Sequence, residues 1–308
     1  MSDHQLPSGK TRDDASMRIE TFAPHFERAP AWIAGRRECD VPISLEIDAF
    51  SAAMYSSRGR NYRDFNEDSA FLFLDEGGAL YAAVLDQAGG LGGKVRGEGS
   101  EIAARTLAEG FVRIAAGNSP LQVELDTSFA LAHQRLRERR QREVTTAVSV
   151  VVRGSSITIA NLGDSGALLI NESGVMCWRS ERHQFRTMQG QSDLTYALGR
   201  FDWHPPDITD LAFGAGARIL LGTDGFFDNL GDDETLGQAV RTAVTAADLF
   251  KSLVARALNA MESESWRGDN LSAVAIHLRR KSLQSVGSSG SAAHVARDVT
   301  QEVLGGAS

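Results

Sequence analysis

The chain has 308 residues, 42% of them hydrophobic and 23% charged, and a formal net charge of −8 from 32 Lys plus Arg against 40 Asp plus Glu. That apolar content supplies a core and excludes wholesale disorder. The acidic balance argues against a nucleic-acid partner, whose phosphates call for a basic surface.

Residues 1–18 are polar, charged and without period, the composition of a disordered start. They include no apolar stretch of the kind that a signal peptide needs. Residues 19–49 mix Trp32, Ile33, Ile43 and Leu45 with charges and prolines, and read as an irregular N-terminal arm. Strands follow: FSAAMYSS (50–57) alternates, and SAFLFL (69–74) and LYAAVLD (80–86) flank Asp75-Glu-Gly-Gly78, a hairpin turn composition. Glu98–Ala116 carries Ile102, Ala103, Leu107, Phe111 and Ile114 at helical spacing, and 121–142 reads as a second helix. The glycine-rich GGLGGKVRGEG (89–99) lacks the Ser or Thr that a phosphate loop places after its lysine. The basic run 135–142 reads as a solvated helix face.

A second block of short β-branched runs follows, TTAVSVVV (145–152), SSITIANLG (155–163), SGALLIN (165–171) and GVMCWRS (174–180). His183–Gly199 is polar and reads as a loop, with His183 a loop or packing residue. ARILLGTD (217–224) is a strand, 233–262 two helices with Asp232 and Asp233 as capping acids, and LSAVAIHLR (271–279) the last strand. Residues 280–308 have a linker composition, with Val295, Val299 and Val303 spaced for a short terminal helix. Strands that meander rather than alternate with helices point to an α+β fold of antiparallel sheets with helices outside. Cys39 and Cys177 are too few and too far apart for a disulfide framework or a cysteine zinc site, and suit a reducing cytoplasm. No apolar run approaches the ~20 residues that span a bilayer. The expectation is a monomeric cytoplasmic protein that binds neither membrane nor nucleic acid.

Three aspartates stand where core strands should end: Asp86 in LDQAGG, Asp224 in TDG and Asp269 in GDN. A carboxylate at such a place is unfavourable unless something compensates it. With Glu67 and Asp68 in a fourth segment, they form an oxygen-only donor set suited to magnesium or manganese. Two such ions lower the pKa of a shared water. Arg63, three residues before Asn66-Glu67-Asp68, fits a phosphate with its planar fork.

Seven segments in order, RDFNEDS (63–69), VLDQAGG (84–90), TTAVSVVV (145–152), ANLGDSG (160–166), LTYALG (194–199), LLGTDGFFD (220–228) and GDNLSAV (268–274), resemble the metal-dependent serine/threonine protein phosphatases of the protein phosphatase 2C class. The stretch 163–185 is similar to the Ptc7-like branch. The resemblance covers roughly 50–279, taken as the phosphatase domain. It implies a four-layer α/β/β/α sandwich and two Mg²⁺ or Mn²⁺ ions. Asp86 would bridge both, Asp224 and Asp269 would complete the first, and the Gln87 backbone carbonyl would serve the second. Glu67 and Asp68 would act through water. Arg63 would bind the phosphate of a phosphorylated protein substrate. Asp164 is a candidate ligand for a weaker third ion, or caps a hairpin turn.

Two positions depart from the class. Gln87 replaces a usual glycine, so a backbone angle suited to glycine would strain it and weaken the second ion. Ala88 stands where the class carries histidine or methionine, which removes a proposed general acid. These departures motivate an alternative, a catalytically impaired relative that acts as a regulatory binding module. The region 183–199 is short where many members of the class carry a longer flap.

Overall fold

The computed structural model describes residues 31–35, 42–47, 49–60, 65–88, 98–117, 119–139, 143–186, 188, 192–263 and 268–279. Arg63, the glycine-rich segment 89–97 and both terminal segments, 1–30 and 280–308, lie outside it. The chain opens with β1 (Ala31–Gly35), β2 (Ile43–Glu46), β3 (Phe50–Ser57), β4 (Ser69–Leu74), β5 (Leu80–Leu85) and β6 (Gln87–Ala88). Helices α1 (Glu98–Ala115) and α2 (Leu121–Arg137) follow. Next come β7 (Val144–Thr145), β8 (Ala147–Arg153), β9 (Ser156–Leu162), β10 (Gly166–Ile170) and β11 (Met176–Arg179). Then come β12 (Gln184–Arg186), β13 (Ser192–Leu194), β14 (Asp207–Ala212) and β15 (Arg218–Gly222). Helices α3 (Asp224–Phe227), α4 (Asp233–Thr242) and α5 (Ala246–Met261) precede β16 (Leu271–Leu278).

Two six-stranded antiparallel sheets form, in the orders β1-β4-β5-β8-β9-β14 and β11-β10-β15-β16-β3-β2. Their facing sides bury Met54, Leu72, Leu80, Val84, Val150, Ile159, Leu221 and Ile276 in one core. The outer face of the first sheet meets α1 and α2 through Phe71, Tyr81, Leu107, Phe111 and Phe129. The outer face of the second meets α4 and α5 through Leu220, Val240, Leu249, Phe250 and Leu253. Four layers result, helices outside and sheets inside, as the resemblance implied. With both faces of each sheet covered, β3 is buried at every position and does not behave as a half-exposed alternating strand.

Local chemistry explains the boundaries. Thr245 and Asp248 form a reciprocal capping box that starts α5. Asp232 accepts from the Thr235 N–H and starts α4, as its position in the sequence suggested. Other elements differ from expectation. The N-terminal arm, expected to be irregular, adds β1 to one sheet and β2 to the other. The loop expected over 183–199 holds the hairpin β12–β13. Asp224 does not close a strand: β15 stops at Gly222, Thr223 is extended, and Asp224 opens α3. Among the described residues no helix is long and apolar enough to cross a membrane.

Candidate metal centre

The acids gather where β5 and β15 end and β4 and β16 begin. Each arrives on a fixed piece of backbone. Asp86 follows β5, and its carbonyl accepts from the Thr146 N–H at 2.8 Å and the Thr145 hydroxyl at 2.7 Å. Its own N–H donates to Thr146 Oγ1 at 3.1 Å. Asp224 Oδ1 accepts from the Gly225 N–H at 2.7 Å, and Asp269 Oδ1 from the Asn270 N–H at 2.8 Å. Gly225 leaves no space for a side chain, since a Cβ there would lie 2.0 Å from the Asn270 carbonyl. The chains bearing Asp224 and Asp269 therefore touch backbone to backbone.

Glu67 and Asp68 are buried ahead of β4. The Glu67 N–H donates to Asn270 Oδ1 at 2.9 Å, and the Asp68 N–H to Asn66 Oδ1 at 3.1 Å. Asn66 in turn donates to Ser56 Oγ at 2.8 Å, which pairs with Ser272 Oγ at 2.7 Å. Asp164 lies in the turn between β9 and β10, whose Ser165 Oγ is 2.6 Å from Thr146 Oγ1. One hydroxyl thus links the Asp164 turn to the Asp86 turn.

Electrostatics shows that the acids form one cluster. Burial, then Asp68, Asp224, Asp269 and Asp164 push the Asp86 carboxyl well above the usual carboxylate range. Burial and the charges of Asp269 and Asp224 raise Asp68 likewise, against hydrogen bonds from Ser272 and Thr223. Burial and Asp224 carry Asp164 up to about 7. Four aspartates from four other chain segments therefore lie close enough to Asp86 for their charges to act on it. Among the described residues no three His, Cys, Asp or Glu side chains are placed so that they could hold a metal ion as they stand. The donor set nonetheless fits a hard divalent cation: it is all oxygen, mutually repulsive, and holds a buried acceptor, Asp68 Oδ1, with no hydrogen-bond partner among the described residues.

Sequence reasoning had these five aspartates and Glu67. It did not single out Thr223, Asn66, Asn270, Ser56, Ser100 or Ser272, whose polar side chains orient the acids. The one signal for them was small polar residues inside or beside apolar strands. Thr145 and Thr146 suit their strands and also fasten Asp86. His183 is a buried joint: its Nδ1 accepts from the Gly163 N–H at 3.2 Å, which leaves Nε2–H for Asp207 Oδ2 at 3.0 Å. The strain expected at Gln87 does not arise, because Gln87 and Ala88 form the extended strand β6, paired with Val144 and Thr145. A cavity of about 420 Å³ opens beside the cluster, lined by Gly166, Arg179, Arg182, Phe227, Asp228 and Asp233 among others. It is crossed by the ion pairs Arg182–Asp228 at 2.7 Å and Arg179–Asp233 at 2.8 Å.

The fold is shared with bacterial serine/threonine phosphatases. The Streptococcus agalactiae (S. agalactiae) enzyme superposes with a TM-score of 0.60 at 16% identity, over 75% of this chain and 100% of that one. The Mycobacterium tuberculosis phosphatase PstP/Ppp gives 0.59 at 22% identity, over 75% and 100%. The PstP catalytic domain in complex with two manganese ions gives 0.59 at 22%, over 75% and 99%. Comparison with curated proteins by sequence returned no match. The sequence model of protein phosphatase 2C matches residues 59–274, and the chain belongs to that family of protein phosphatases.

Proposed function

We propose that this chain is a metal-dependent phosphatase that hydrolyses phosphoserine and phosphothreonine in proteins. The observation that carries the reading is the convergence of Asp68, Asp164, Asp224 and Asp269 on Asp86 in one interacting cluster. The two manganese ions of the PstP catalytic domain support a binuclear site. When bound, two Mg²⁺ or Mn²⁺ ions supply Lewis acidity and a water of lowered pKa. In this reading Asp86 would be shared by both ions, Asp224 and Asp269 would hold the first, and the Gln87 carbonyl would serve the second. Glu67 and Asp68 would act through water, and Asp164 would hold a weaker third ion. Arg63 takes the substrate phosphate through its guanidinium fork.

The protein's own contribution is to hold these oxygens still. Thr145 and Thr146 immobilise the Asp86 backbone. The local N–H groups of Gly225 and Asn270 aim Asp224 and Asp269. Preorganised donors of this kind remove reorganisation from the reaction.

The second reading, an impaired regulatory module, was motivated by Gln87 and Ala88. The extended backbone of β6 favours the active enzyme. Hydrolysis of a phosphopeptide with Mn²⁺ tests the choice. Asp86→Ala and Asp224→Ala are each expected to lose on the order of a hundredfold or more in kcat/KM. Equal turnover by the wild type and both variants would overturn the enzyme reading.

A further inference from the structure

The first turn of α1 touches both arms of the acid cluster. Gln87 Oε1 accepts from the Gly99 N–H at 2.8 Å and the Ser100 N–H at 3.3 Å. These are donors that a helix start leaves without an intrahelical partner. Ser100 Oγ donates to the Glu67 carbonyl at 2.6 Å and lies 2.9 Å from Ser69 Oγ. One side of the turn thus holds the residue after Asp86, and the other holds the segment Glu67–Ser69. The fit is close. Gln87 is 3% exposed, and a Cβ on Gly99 would lie 2.8 Å from Glu143 Cβ and 3.1 Å from Gln87 Oε1. A side chain at position 99 is excluded first by Glu143 Cβ and crowded further by the Gln87 amide.

We infer that Gln87 and Ser100 are positioning residues, and that the first turn of α1 is a clasp setting the spacing between Asp86 and Glu67–Asp68. The inference rests on the metal-centre reading above. It assigns the Gln87 side chain a role separate from its backbone carbonyl. Helix α1 does not depend on the clasp for its own burial, because Ala103, Leu107, Phe111 and Ile114 pack it on the first sheet. Loss of the clasp therefore frees the turn without removing the helix. Partners that orient metal-binding groups from behind typically set metal affinity by ten- to a hundredfold.

Calorimetric titration of metal-free protein with Mn²⁺, alongside thermal unfolding in EDTA, tests this. Gln87→Met keeps the bulk and removes the acceptor, Gln87→Gly removes the side chain, and Ser100→Ala removes the second arm. Ala108→Gly weakens the same helix two turns away and serves as the control. Both Gln87 variants are expected to bind Mn²⁺ at least tenfold more weakly, Ser100→Ala to shift in the same direction, and Ala108→Gly to bind like the wild type. Phosphopeptide turnover by Ser100→Ala should recover toward the wild-type kcat at saturating Mn²⁺, since the Ser100 hydroxyl touches no reacting atom. Unchanged or tighter binding by the Gln87 variants, or equal weakening by Ala108→Gly, would overturn the clasp and leave the metal centre standing. A wild-type protein that binds no Mn²⁺ would overturn both.

Discussion

Thr223 Oγ1 donates to Asp68 Oδ2 at 3.2 Å, and so joins the end of β15 to the start of β4. Thr223 is itself fixed by its N–H on the Ser272 carbonyl at 3.0 Å and by the Ser272 N–H on its hydroxyl at 3.2 Å. Asp68 and Thr223 are both fully buried. Removing the hydroxyl leaves a buried carboxylate short of a donor, which costs about 1–3 kcal/mol. Thr223→Val should lose that much in urea unfolding of the metal-free protein, while Thr223→Ser should retain most of it. Equal stability of Thr223→Val and the wild type would show that Asp68 does not depend on this bond.

Much of the fold was legible because its core strands are apolar runs closed by turn chemistry. β3, β4, β5 and β16 lie at their expected places, and α1 ends one residue before its expected limit. The misses have physical causes. β14, DITDLA, is an edge strand with no fully buried residue, so no hydrophobic pattern marks it. β1 and β2 pair at sheet edges, which the prolines and charges around them concealed. Asp224 read as the end of a strand because its helix is only four residues long, too short for periodicity. The acids of the site were legible from their neighbours. Their orienting partners were not, because Asn270 and Glu67, or Thr146 and Ser165, meet only through tertiary pairing.

The acid cluster sets the metal response of stability. Asp86 faces four other aspartates, so its charge opposes folding until a cation compensates it. Asp86→Asn should therefore raise the melting temperature in EDTA above that of the wild type. A ligand present at about a hundred times its Kd adds about 2.7 kcal/mol to the wild type, which is roughly 5–10 °C for a domain of this size. Asp86→Asn should lose most of that gain. Scanning calorimetry with and without Mn²⁺ reads both effects, and a lower melting temperature of Asp86→Asn in EDTA would contradict the repulsion.

His277 makes a separate contribution, away from the acids. Burial and the nearby Arg218 lower its pKa to about 4, against a backbone hydrogen bond to Val244 and the charge of Glu172. The unfolded chain titrates near 6.5 and the folded one near 4, so between these values the unfolded state binds the extra proton. His277 thus favours folding above about pH 6.5, and this contribution is lost as pH falls toward 4. Urea unfolding from pH 7.5 to 4 should show His277→Gln gaining relative to the wild type as the solution is acidified. Parallel pH curves for the two proteins would place the His277 titration elsewhere.

Gly163 tests how firmly the Asp164 turn is tied to Asp86. Its φ is +117°, and a Cβ would lie 2.5 Å from Thr146 Cβ and 2.6 Å from Thr146 Cγ2. Alanine there meets two penalties at once: a left-handed backbone worth about 1–3 kcal/mol, and a collision with a fully packed side chain. Thr146 cannot retreat without consequence, because its N–H and its Oγ1 hold the Asp86 backbone from both sides. Gly163→Ala should therefore be destabilised by about 2–4 kcal/mol in urea and should also bind Mn²⁺ more weakly than the wild type under conditions where it stays folded. The companion variant Thr146→Ser removes the Cγ2 methyl, one of the two colliding atoms, and keeps Cβ and the hydroxyl. The pair Gly163→Ala/Thr146→Ser should regain part of both the stability and the metal affinity. If the second change recovers stability and leaves metal affinity as low as in Gly163→Ala alone, the two turns are coupled by a route other than Thr146.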